Sequence, residues 1–108
     1  MSLAEEDFNE ITAFFTNQPN VKRSQMFGMP CLKVKGKVFL CLYEDEMVFK
    51  LSGQSHSQAL ALEGSSLFDP SRSGRPMKEW VRVPAAYSST WIKLAEAAYL
   101  YINSQNEE

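Results

Sequence analysis

Residues 26–51 read MFGMPCLKVKGKVFLCLYEDEMVFKL, and how this stretch turns back on itself decides the fold. Apolar residues on either side of Lys35-Gly36 spell strand, tight turn, strand, with Gly36 supplying the positive φ that a two-residue hairpin demands. Residues directly across an antiparallel pair share a face, so this turn predicts Val34 opposite Lys37, Leu32 opposite Phe39 and Cys31 opposite Leu40. A second, acidic turn follows at Glu44-Asp45-Glu46. As a three-residue loop it sets Tyr43 against Met47, Cys41 against Phe49 and Phe39 against Leu51, whereas a two-residue loop would set Phe39 against Lys50. The three-residue register therefore predicts a core face of Leu32, Val34, Phe39, Cys41, Tyr43, Met47, Phe49 and Leu51. It leaves Lys33, Lys50, Val38, Leu40, Leu42 and Val48 on the other face.

Outward from this meander, the periodicities change to helical at both ends of the chain. Phe8, Ile11 and Phe15 recur at helical spacing between about Leu3 and Asn17, with Glu5, Glu6 and Asp7 near the positive end of the helix dipole. Asn17 and Pro19 stop that helix, and Val21 to Phe27 reads as a first strand before a bend at Gly28 and Pro30. After Leu51, a short helix from Ser55 to Glu63 carries Ala59, Leu60 and Leu62, with Gly64 as its cap. Leu67-Phe68 is a brief edge strand, Ser71 to Pro76 a loop, and Met77 to Val83 a strand closed by Pro84. Ser88, Ser89 and Thr90 offer capping hydroxyls to a last helix whose stripe is Trp91, Leu94, Ala95, Ala98 and Ile102. The expected fold is α+β: two layers, an antiparallel sheet, and N-terminal, short middle and C-terminal helices, in one domain spanning 1–108 with its core at about 3–103.

Composition narrows the function classes. A chain of 108 residues, 44% hydrophobic, can bury its own core without a metal or disulfide, so no cofactor is expected. A net charge of -2 exerts no global pull on nucleic acid or anionic membrane, and any such binding needs a local patch. The chain contains neither a membrane-length apolar run nor a signal-peptide pattern, which predicts a cytoplasmic protein with no membrane partner. Met1-Ser2-Leu3 reads either as an expression scar or, with Glu5, as a capping box. Two cysteines and one histidine make a poor zinc set, and the predicted register puts Cys31 and Cys41 on opposite faces, out of disulfide reach.

Candidate chemistry is sparse. Gly53-Gln54-Ser55-His56-Ser57 resembles part of a nucleophile elbow, but the closing glycine is missing and a histidine next to a serine on a helix points away from it. Both cysteines sit in apolar strands, where an inert buried thiol is the ordinary outcome. The local anomaly is Arg72, Arg75, Lys78 and Arg82 around Trp80, opposed within the segment only by Glu79. On an alternating strand Lys78, Trp80 and Arg82 share a face that could grip a phosphate or stack a base. Packing of arginine stems around a half-buried tryptophan explains the same residues and is preferred for an acidic chain. A second anomaly is the apolar set Val38, Leu40, Leu42 and Val48 on the face opposite the predicted core. Unless a helix wraps around to cover it, this set predicts a twofold homodimer.

Met26-Phe27-Gly28 ahead of a hairpin with Gly36, Lys37 and Phe39, then Phe49-Lys50-Leu51, Gly74-Arg75-Pro76-Met77, Trp80-Val81, Val83-Pro84 and a closing helix with Ala98-Tyr99 together carry a family pattern. Over roughly Val21 to Ile102 the chain resembles the TfoX N-terminal domain family, departing at Met29, where members often have a second glycine. The resemblance implies the same two-layer α+β fold with an antiparallel sheet. Its best-known members place this domain ahead of a second, helical domain in regulators of bacterial natural competence. The expectation here is a single-domain member without that second domain, so DNA binding does not carry over, and the family offers no catalytic residues to transfer. The predicted function is a non-enzymatic regulatory or protein-interaction domain acting through an unidentified protein partner. The alternative is a nucleic-acid or phosphate-ligand module using segment 72–82.

Overall fold

The computed structural model describes residues 3–26, 28–69, 74 and 77–105. It contains α1 (Leu3–Phe14), β1 (Val21–Met26), β2 (Met29–Val34), β3 (Lys37–Tyr43), β4 (Glu46–Lys50), α2 (Gly53–Ala61), β5 (Ser66–Phe68), β6 (Met77–Val83), a 3-10 helix at Ala85–Thr90, and α3 (Trp91–Gln105). The strands form one antiparallel sheet in the order β1-β2-β3-β4-β6-β5. The α+β class, the three helices and the antiparallel sheet are as expected. No described helix is long and apolar enough to cross a membrane.

The helices form the second layer. α3 packs on β2, β3 and β4, α1 on β3 and the 3-10 helix, and α2 on β6 and α3. Their apolar stripes, with Phe15 just past α1, supply Phe8, Ile11, Phe15, Trp91, Ala95, Ala98 and Ile102 to a core that the sheet, with Leu51 just past β4, completes with Leu32, Val34, Phe39, Leu40, Leu42, Met47, Phe49, Leu51, Val81 and Val83. Phe15 and Phe39 of this core interlock with the partly buried Tyr99, with ring centroids 5.3 to 5.8 Å apart.

Two details of the meander differ from the expected register, and together they redraw its faces. Val34 does pair with Lys37 across Lys35-Gly36, whose φ values of 52 and 84° make the tight turn. A β-bulge then intervenes, so Leu32 pairs with Leu40 and Cys31 with Cys41. Phe39 is the extra residue, and it and Leu40 both enter the helix-side core. A bulge lets two consecutive side chains serve one face, which a regular strand forbids. The acidic turn is a two-residue one, Glu44-Asp45, with Tyr43 opposite Glu46, Leu42 opposite Met47, Cys41 opposite Val48 and Leu40 opposite Phe49. The bulge and the shorter turn each shift the chain by one residue. Their effects cancel on β4, whose faces are as expected, and reverse Leu40 to Tyr43 between them.

The dimer face predicted from Val38, Leu40, Leu42 and Val48 is corrected accordingly. Leu40 and Leu42 lie under the helices, while Val38 and Val48 belong to the opposite face, so the four make no common surface. That opposite face has a core of its own: Cys31, Cys41, Val48, Phe68 and Trp80, with Met26, Met29, Val38, Tyr43 and Met77 packed against it. Phe68 reaches it from β5 past an irregularity in the β5–β6 ladder and meets Tyr43 edge-on at 5.1 Å.

Candidate functional site

Of the predicted basic site, Arg72 and Arg75 lie outside the described residues. Lys78, Trp80 and Arg82 stand on β6; Lys78 is exposed, whereas Trp80 and Arg82 are engaged within the protein. Trp80 is buried in the second-face cluster, with the Lys50 ammonium 5.8 Å from its ring centroid. Arg82 donates from Nε to Glu46, lies 3.9 Å from a Glu44 carboxylate oxygen, and stacks its guanidinium 5.0 Å from the Tyr43 ring. The acidic β3–β4 turn is thus the counter-charge of Arg82. Glu79 accepts from the Tyr101 hydroxyl and sits 4.0 Å from Lys50. Trp80 is thus buried with a lysine beside it while the Arg82 guanidinium lies on Tyr43, so the Trp80 ring offers no bare face for a base to stack on.

The other nucleophile and base candidates are held by structure. His56 Nε2 donates to the Lys78 carbonyl at 2.8 Å, and since a carbonyl only accepts, that nitrogen carries the ring proton. The bond ties α2 to β6. Cys31 and Cys41 face each other across β2 and β3, contrary to the expectation that they occupy opposite faces, and both are free thiols. Burial pushes Cys41 up to about 12, with the neighbouring Cys31 adding to it. Cys31 is raised as well, by burial, with Lys33 pulling the other way. Both are therefore neutral thiols, the unreactive form. Among the described residues no three His, Cys, Asp or Glu side chains gather to hold a metal.

Two surface features were not picked out from the sequence. The first is a groove of about 450 Å³ between α1 and the 3-10 helix leading into α3, lined by Asp7, Glu10, Ile11, Phe14, Ser88, Ser89 and Ile92. Phe14, at the end of α1, is 50% exposed there. The second is a cavity of about 310 Å³ at the turn end of β1, β2 and β3, lined by Asn20, Lys22, Lys33, Lys35 and Gly36. A sequence signal for the latter existed. Between Glu10 and Glu44 there is no acidic residue at all, while Lys22, Arg23, Lys33, Lys35 and Lys37 fall inside that run. Arg23 is drawn to α1, donating to Asn9 at 2.9 Å and lying 4.9 Å from the Phe8 ring centroid.

A family model described as the TfoX N-terminal domain matches residues 13–102. The chain belongs to that family. No curated protein and no solved structure is a significant match. The TfoX N-terminal domain is not a known enzyme family. Its matched span takes in the whole sheet, the cysteine pair and the lysine cavity. The groove straddles the edge of this TfoX N-terminal match, with Phe14, Ser88, Ser89 and Ile92 inside it and Asp7, Glu10 and Ile11 before it.

Proposed function

We propose that this TfoX N-terminal domain is a non-enzymatic regulatory module that works by holding a segment of another protein in the groove beside α1. The observation that carries this reading is Phe14, an aromatic side chain half exposed beside Ile11 and Ile92 and within reach of two carboxylates. An exposed aromatic next to apolar side chains is the usual anchor of a protein interface. Asp7 and Glu10 add a charge preference. The partner that fits is an amphipathic peptide segment with an apolar anchor flanked by Lys or Arg. The family supports a regulatory role, and the competence regulators among its best-known members make control of such a pathway the specific expectation. The engaged His56 and the buried, neutral thiols favour a binding role over a catalytic one.

The test places a photo-crosslinking amino acid at position 14 in the producing cell, with position 100 as control, because Leu100 is also exposed on α3 but lines no part of the groove. A discrete adduct is expected from position 14, lost when Asp7 and Glu10 are both changed to Lys. With the partner in hand, Phe14→Ala should weaken binding by roughly tenfold or more while leaving stability within about 0.5 kcal/mol. No adduct, or the same adducts from positions 14 and 100, would reject the groove.

A further inference from the structure

We propose that the turn end of the β1–β2–β3 ribbon is a binding site for a compact oligophosphate chain, held by Lys22, Lys33 and Lys35. On the β1–β2 ladder Lys22 and Lys33 are direct partners, so two like charges stand opposite each other on one face. Such pairs destabilise a sheet unless counter-charge is supplied. Lys35 occupies a left-handed turn position, φ 52°, where Asn, Asp or Gly is the ordinary choice. A lysine there is poorly explained by the backbone and well explained by the cavity that its side chain lines with the other two.

The rest of the cavity fits the same ligand. Its lining is completed by Asn20, whose amide can donate, and Gly36, which leaves the entrance without a side chain, and among the described residues it includes no carboxylate. None of the three lysines forms an ion pair with a described residue. The Lys35 amide donates to the Asn20 carbonyl at 3.0 Å, which fastens the turn to the residue preceding β1 and fixes the spacing of the lysine backbones. Because this stretch holds no acid while the remaining six cations share the chain with all thirteen carboxylates, the local potential is positive on an acidic protein. Lysine binds phosphate as a point charge rather than through a planar fork, so three of them suit several phosphates in a chain better than one oriented group.

Inorganic triphosphate is the probe. Added to ¹⁵N-labelled protein at low ionic strength, it should shift the amide signals of Asn20, Lys33, Lys35 and Gly36, with affinity falling as salt rises. Lys22→Gln with Lys33→Gln should weaken binding at least about tenfold. Lys35→Gln, at an exposed turn, should weaken it too and serves if the double variant loses its fold. Lys93→Gln, on α3 and outside the cavity, should change nothing. ATP binding as tightly as triphosphate would assign the chain to a nucleotide, and triphosphate binding more tightly would assign it to an inorganic source. The proposal fails if these amides do not move, if Lys93→Gln weakens binding equally, or if a single-stranded oligonucleotide binds and triphosphate does not.

Discussion

Leu40 and Cys41 are chain neighbours, both fully buried, and they are buried by different means. Leu40 lies beneath a continuous layer of helices, in a cluster that draws on α1, α2 and α3. Cys41 lies on the face that carries none of the described helices, in a cluster of individual side chains that includes Phe68, Trp80, Tyr43 and the methionines 26, 29 and 77. A helical layer covers many positions at once and shares the burial of each sheet residue among several neighbours. Cover by separate side chains is discrete, and one deletion opens it. The chemistry follows the same division, since most of the aliphatic and aromatic residues pack under the helices while both thiols and three methionines collect on the other face.

Leu40→Lys should break the comparison most severely. It would place an ammonium under the helices among wholly apolar neighbours, and the expected outcome is loss of the folded state by circular dichroism. A folded variant would mean that the helix layer does not close over β3. Phe68→Ala tests the other face. Removing a buried phenylalanine costs about 3 kcal/mol in urea denaturation, and here it should also make Cys41 accessible to a thiol reagent in the native protein. Unchanged stability with protected thiols would show that Phe68 is not the cover.

The smallest effect is electrostatic and belongs to the second face alone. A thiol whose folded pKa is raised contributes stability that is fully present below its unfolded value and lost as pH rises through the folded one. For Cys41 that window runs from the ordinary 9.0 to about 12. Relative to Cys41→Val, in which the lysine titrations are the same, the native protein should lose about 1 kcal/mol between pH 8 and pH 10. Parallel pH profiles would mean that Cys41 meets water.

The candidate sites were legible to different degrees for the same reason. Trp80 and Arg82 stand out in the sequence, but Lys50 beside Trp80 and Tyr43, Glu44 and Glu46 beside Arg82 come from the neighbouring hairpin and become visible only when β4 pairs with β6. Phe14 looks like an ordinary apolar residue of α1, and its exposure depends on where the helix stops against the 3-10 helix. The lysine cavity left the clearest trace, a run without acid, because charge composition is a property of the chain before it folds.

Local physics determined the helices of this protein, the Lys35-Gly36 hairpin and the α+β class. Helical and alternating periodicities and turn residues act over a few positions and need no distant partner. The side of the sheet on which Leu40, Cys41, Leu42 and Tyr43 lie was decided only in three dimensions. Phe39 is drawn between Phe15 of the first helical segment and Tyr99 of the last, and β3 accommodates it with a bulge. With a period of two, one inserted residue reverses every side chain from there to the next turn, so a contact between the two ends of the chain assigns the faces of a strand in its middle.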